Sequence, residues 1–197
     1  MWARTTRPYG WAFMTRPYKG DNMRNVAKFK IVSYKNFFDS FVNTFQIANS
    51  EDKKIKSEID ALYKDLQLPK RATTGSAGYD FKSPVDFTLK PKETIIIPTG
   101  IRCKMNEDIV LMIYPRSSLG FKYRLTLDNT VGIIDSDYYN SDNEGHIFIK
   151  FTNSGEKVLE IKKGDGIAQG IFLPYYLTVD DNVSDKRNGG IGSTNQK

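Results

Sequence analysis

Apolar and polar positions fall into three regimes along the 197-residue chain. Residues 1–22 show neither a helical nor a strand period. They hold instead a nine-residue unit repeated almost unchanged, Trp2–Gly10 and then Trp11–Lys19, each copy containing Thr-Arg-Pro-Tyr. Two copies are too few for a stacked solenoid, so this leader is expected to be a disordered extension, with Met23 as an alternative start. Structural periodicity begins afterwards. Lys28–Ser33 alternates as a short strand does. Phe37, Phe38, Phe41, Val42 and Phe45 recur at the spacing of an amphipathic helix, and this aromatic stripe reads as core packing. A second helix is predicted from Glu51 to about Leu66. Ser50 would be its cap, Glu51 and Asp52 would sit at the positive end of its dipole, and Ile55, Ile59, Leu62 and Leu66 would line one face. Pro69 lies just beyond.

After Pro69 the period becomes extended. Val85–Leu89, Thr94–Ile97, Gly100–Met105, Ile109–Tyr114, His146–Phe151, Val158–Ile161 and Ile167–Leu173 read as short strands separated by Gly, Pro and Asn-Ser turns. That rhythm predicts a mainly β fold, an antiparallel sandwich or barrel. The expected organisation is an extension at 1–22, a strand and two helices at 23–68, a β domain at 69–180, and a mobile, Gly/Ser/Asn-rich C-terminal arm at 181–197.

Composition narrows the chemistry. With Cys103 and His146 the only Cys and His, zinc sites and triads built on either residue are poorly supported, and no internal disulfide can form. No apolar run is long enough for a membrane helix. Most of the net charge of +6 comes from residues 1–24, where Arg4, Arg7, Arg16, Lys19 and Arg24 face Asp21 alone. The globular part carries no dense basic stripe, so neither nucleic acid nor membrane is an expected partner. The leader lacks the Ser-richness and amphipathicity of an organelle-targeting peptide.

Three polar clusters interrupt the β pattern. Tyr114–Gly120 sets Arg116, Ser117 and Ser118 directly after an apolar strand, a donor set suited to phosphate oxygens. Gly132–Tyr138 carries Asp135 and Asp137, which share a side if the segment is extended; one could serve as a general base. Arg187–Thr194 combines closely spaced glycines with Arg, Ser and Thr, a second anion cradle. Two such cradles in one small β domain suggest a polyphosphate ligand.

Five segments in order, Ala77–Asp80, Pro115–Leu119, Gly132–Tyr138, Gly164–Gln169 and Arg187–Thr194, resemble the five motifs of the trimeric dUTPase family, and the segment from about Met23 to Pro69 resembles the N-terminal region of a bacterial and phage-like branch. The resemblance implies a distorted jelly-roll β-barrel and hydrolysis of dUTP to dUMP and pyrophosphate. Asp135 would be the general base that activates water for in-line attack on the α-phosphorus. Asn129, Gly132, Ile133 and Ile134, with the backbone near Phe148, would form a hairpin pocket that reads uracil, and Tyr138 would pack on the sugar and exclude a 2′-hydroxyl. Arg116, Ser117, Ser118 and Gln169 would hold the phosphate chain, and Arg187, Gly192 and Ser193 would close over it. Asp80 would sit near a Mg2+ cofactor and touch it through water. The resemblance also implies a homotrimer with shared sites, in which the third motif and the arm serve sites on neighbouring subunits, and a cytoplasmic setting, that of the host if the gene is phage-borne.

The chain departs from the family pattern at several places. Ile191 stands where an aromatic stacks on uracil, Ser118 where Gly is frequent, and Gly166 where a basic residue is common, which reads as loss of a surface charge. Residues 139–145 lengthen the turn after Tyr138 and are expected to alter the pocket's edge. Two rival readings stand beside the main one: a dCTP deaminase of the same fold, possibly bifunctional, and a regulatory protein that uses the site as a nucleotide sensor.

Overall fold

The computed structural model describes residues 25–185 together with Arg187 and Gly189. The leader, Gly192, Ser193 and Ile191 lie outside the described residues. In chain order the elements are β1 (Ala27–Ile31), α1 (Tyr34–Phe45), α2 (Lys53–Lys64), β2 (Lys70–Arg71), β3 (Tyr79–Lys82), β4 (Phe87–Leu89), β5 (Thr94–Pro98) and β6 (Ile101–Met105). They continue with β7 (Ile109–Pro115), α3 (Ser117–Tyr123), β8 (Leu125–Leu127), β9 (Gly132–Ile134), a 3-10 turn at Ser136–Asn140, β10 (Phe148–Asn153), β11 (Leu159–Ile161) and β12 (Gly166–Pro174).

Every strand pair among these is antiparallel. The sheets run β1-β6, β5-β10-β8, β11-β4 and β2-β3-β12-β7-β9, the mainly β architecture that the strand rhythm predicts. Strand alternation sets which side chains enter the core. Ile101, Cys103 and Met105 of β6 and Ile109, Leu111 and Ile113 of β7 point inward, where they meet Phe81, Ile97, Phe151 and Ile167. A second, smaller core of Val32, Phe37, Phe41 and Ile59 lies between the helices, with Phe45 and Val85 packed against both cores. The aromatic stripe of α1 is therefore packing, as its spacing predicts.

The helix starts differ from expectation. α2 begins at Lys53, and its cap is Asp52, whose carboxylate accepts from the Lys54 and Ile55 N–H groups, not Ser50. A carboxylate reaches two orphan amides at once and adds its charge to the dipole's positive end. Ser33, read as the end of a strand, is the cap of α1 and accepts from the Asn36 N–H. Strands β2, β3, β8 and β9 and helix α3 are too short, or too polar, to show a period.

Candidate active site

A cavity of about 540 Å3 lies where two sheets exchange the chain. β8 pairs with β10, whereas β9 pairs with β7. The segment between them therefore crosses from one sheet to the other and is not a hairpin, contrary to the expectation for the uracil-reading loop. The crossing turns sharply at Thr130, whose φ is 64°, and the Val131 N–H donates to the Asn129 carbonyl at 2.6 Å. All the residues assigned to base and sugar reading, Asn129, Gly132, Ile133, Ile134, Tyr138 and Phe148, line this one cavity, together with Asp135.

Asp135 follows β9 directly and precedes the 3-10 turn, and its side chain is half-exposed at the cavity. Asp137 follows on the first turn. The two carboxylates do share a side, but a tight turn brings them round rather than an extended strand. Arg187 bridges them, its guanidinium pairing with Asp135 and its Nε lying 2.8 Å from Asp137 Oδ1. The resemblance places the arm on a neighbouring subunit; here Arg187 meets carboxylates of its own chain. A planar guanidinium fork fits two carboxylates spaced this way.

Tyr138 is held from behind. Its hydroxyl donates to the His146 carbonyl at 2.8 Å and accepts from Asn143 Nδ2 at 2.8 Å. Ser141 Oγ donates to the Tyr138 carbonyl at 2.6 Å. Burial pushes the Tyr138 phenol up, with the Asn143 hydrogen bond and the Arg187 charge opposing. Further along this segment, Arg102 donates to the Tyr139 carbonyl at 2.6 Å, and its guanidinium lies 3.8 Å from the Tyr139 ring centre. Glu144 accepts from the Ser33 N–H at 2.9 Å and the Ser33 hydroxyl at 2.5 Å. Burial opposes the charge on Glu144, but these bonds and Arg102 hold its carboxyl below the usual range. The lengthened 139–145 segment is thus a clamped support behind Tyr138; none of it lines the 540 Å3 cavity, while Tyr139 and Asn140 border a neighbouring recess of about 740 Å3 with Asp135 and Arg187.

The phosphate candidates gather elsewhere. Arg116 precedes α3, with Ser117 and Ser118 exposed on its first turn. Arg116 Nε lies 3.3 Å from Asp80 Oδ1, and Gln169 faces Asp80 across the β3–β12 pairing. Gly166 is buried, and a Cβ there would stand 2.5 Å from Arg116 Nη1. Its absence of a side chain makes room for the guanidinium, whose Nη1 donates to the Gly166 carbonyl at 3.4 Å. The reading of Gly166 as a lost surface charge is therefore wrong. None of Asp80, Arg116, Ser117, Ser118 and Gln169 lines the 540 Å3 cavity. Arg116 and Ser118 instead border a separate recess of about 210 Å3 with Lys122, Asp165 and Gly166.

Comparison with known proteins decides the family. The dUTPase family model matches residues 64–195. The chain belongs to the dUTPase family. It is 42% identical over 142 residues to the deoxyuridine 5′-triphosphate nucleotidohydrolase of Lactococcus lactis subsp. lactis, covering 70% of this chain and 95% of that one. The enzyme of the same name from Paraburkholderia phytofirmans is 40% identical over 144 residues, covering 69% and 93%. Among solved structures, a dUTPase from Streptococcus mutans aligns with a TM-score of 0.52 at 39% identity over 56% of this chain and 88% of that chain. The dUTPase of Staphylococcus aureus phage phi11, at 19% identity and a TM-score of 0.54 over 82% and 97%, shares the fold. The family match starts at residue 64, so β1, α1 and nearly all of α2 precede it.

Within this dUTPase-family chain, the donor set suits a hard divalent ion held mainly by other ligands. Magnesium keeps several waters and takes one or two carboxylates plus phosphate oxygens. Asp80 offers one carboxylate beside Arg116 and Gln169, and among the described residues no three His, Cys, Asp or Glu side chains form a metal cage. Among those residues no helix is long and apolar enough to cross a membrane. The Cys103 thiol is buried, and that burial pushes it up to about 12, which removes it as a nucleophile. The chain's single histidine, His146, stands behind the cavity wall. It is fully buried, with its ring centre 4.5 Å from that of Phe148.

Proposed function

We propose that this protein is a dUTP diphosphatase, hydrolysing dUTP to dUMP and pyrophosphate. The observation that carries the reading is the position of Asp135, half-exposed in the same cavity that collects every residue assigned to base and sugar recognition. Asp135 orients a water and takes its proton as the water oxygen attacks the α-phosphorus. The bond from that phosphorus to the oxygen bridging to the β-phosphate breaks, and pyrophosphate leaves with the bonding pair. General-base assistance of this kind contributes about 10²–10⁴ in rate.

Backbone donors and acceptors around Asn129 and Gly132–Ile134 match the edge of uracil, and cytosine's exocyclic amine leaves them unpaired. Tyr138 presents its ring to the sugar and leaves no space for a 2′-hydroxyl. Arg116, Ser117, Ser118 and Gln169 bind the phosphate chain, and Arg187, with Gly192 and Ser193 of the arm, closes over it. Asp80 would contact Mg2+ through water, and that ion would neutralise the charge of the triphosphate. Catalysis then rests on positioning and electrostatics.

The separation of the Arg116 cluster from the Asp135 cavity supports a homotrimer in which Arg116 of one subunit serves the cavity of another. The biological role we infer is cytoplasmic: lowering dUTP to limit uracil in DNA while supplying dUMP for thymidylate. The test is pyrophosphate release from dUTP, dCTP, dTTP and UTP with Mg2+. Release from dUTP alone supports the reading; ammonia from dCTP, or no release from dUTP, overturns it.

A further inference from the structure

Helix α1 presents two stripes at four-residue spacing. Phe37, Phe41 and Phe45 form the aromatic one, and beside it Asn36, Ser40 and Thr44 form a polar one. A polar stripe normally faces water. This one does not: all three residues are half-buried. The Gly100 N–H, which can only donate, lies 2.8 Å from His146 Nε2. Nε2 is therefore the acceptor, and the neutral ring carries its proton on Nδ1. That nitrogen is 3.0 Å from Asn36 Oδ1 and 3.2 Å from Ser40 Oγ. Burial, only partly offset by the Glu144 charge, lowers His146 to about 4, so the neutral form persists at ordinary pH.

From the fixed imidazole two routes lead to the cavity. The ring packs on Phe148, and the His146 carbonyl accepts the Tyr138 hydroxyl. Both Tyr138 and Phe148 line the cavity, and so does Thr44, one turn beyond Ser40 on the same helix face. We propose that helix α1 is a wall of the nucleotide site: Asn36 and Ser40 are positioning residues that act through His146 on Tyr138 and Phe148, and Thr44 borders the cavity directly and tunes specificity. The helix lies ahead of residue 64, where the family match begins. The inference rests on the dUTP reading of the cavity.

Two variants test it. Asn36→Leu/Ser40→Ala removes both partners of the Nδ1 proton and loosens the support of Tyr138. Thr44→Trp places a bulky ring at a half-exposed position against the cavity. Each is expected to raise KM for dUTP about tenfold with kcat within about threefold, the pattern of lost binding. The double variant should also lower the dUTP-to-UTP ratio of kcat/KM about tenfold, an effect that lost stability alone does not produce. Thr44→Ser should restore the wild-type KM. Should the double variant fail to fold, Thr44→Trp decides. Wild-type KM and discrimination in a folded variant, with wild-type enzyme active on dUTP, overturn the role of α1. A wild-type protein that releases no pyrophosphate from dUTP overturns the underlying reading of the site instead.

Discussion

The cavity beneath Tyr138 and the cluster around Arg116 are built by opposite means. Around the cavity, polar groups already have partners: Tyr138, Ser141, Asn143 and His146 bond to one another or to backbone, and Ser33 holds Glu144. Around Arg116 the groups are charged or exposed and lightly held, with a 3.3 Å pair to Asp80 and two exposed serines. A base is recognised by a fixed pattern of donors and acceptors, which rewards a rigid pocket. A polyphosphate is gripped by charge, which tolerates movement and works across a subunit boundary. The difference separates specificity from grip.

The largest expected effect falls on the residue at the edge of the rigid region. Asp135→Asn should leave dUTP binding intact and lower kcat by about 10²–10⁴, measured by steady-state pyrophosphate release. Near-normal kcat would remove Asp135 as the base.

The rigid region should also be the acid-sensitive one. His146 is held at about 4 in the fold against an ordinary 6.5, so below 6.5 the unfolded chain binds a proton that the folded chain resists. Its contribution is fully present above pH 6.5 and is lost as pH falls toward 4, about 2 kcal/mol between pH 7 and pH 5. Glu144, held below its ordinary value, contributes in the same sense but at lower pH. Urea midpoints at the two pH values check this, and a flat profile would contradict a buried neutral His146.

The charged cluster should respond in binding rather than in stability. Arg116→Ala removes charge-assisted bonds worth about 1.5–3 kcal/mol each. It should raise KM for dUTP by about one to two orders of magnitude with an unchanged melting temperature. The mildest change is Gly166→Ala. Its Cβ meets the end of the flexible Arg116 side chain, so the guanidinium shifts while the fold stays intact. A severalfold rise in KM is expected, and a large drop in stability would show that Gly166 serves packing instead.

Legibility in the sequence followed the same divide. The helical stripe of Phe37, Phe41 and Phe45 and the alternation of β6 and β7 mark packing, which periodicity reports directly. The candidate site residues stand out as ordered motifs, and the cavity gathers most of those in the third motif. The crossing between β8 and β9 was not legible, because each strand is three residues long and pairs with a distant partner. Nor was the role of Gly166, which depends on where a side chain fifty residues earlier comes to rest. His146, read as the start of a strand, lies ahead of β10 and against α1, contacts that a lone histidine does not announce. The stripe of Asn36, Ser40 and Thr44 has the form of an ordinary solvated face, so spacing alone does not report its half-burial.

The claim that the two regions of one chain serve different copies of the site is tested most directly by co-expressing Asp135→Asn and Arg116→Ala chains. Each variant alone is expected to be strongly impaired. If the site joins Asp135 of one subunit to Arg116 of another, mixed trimers regain sites with both residues intact, roughly a quarter of the total for random assembly. The account predicts that recovery of pyrophosphate release from dUTP. Activity no higher than the average of the two parents would place both residues in a site within a single chain and contradict it.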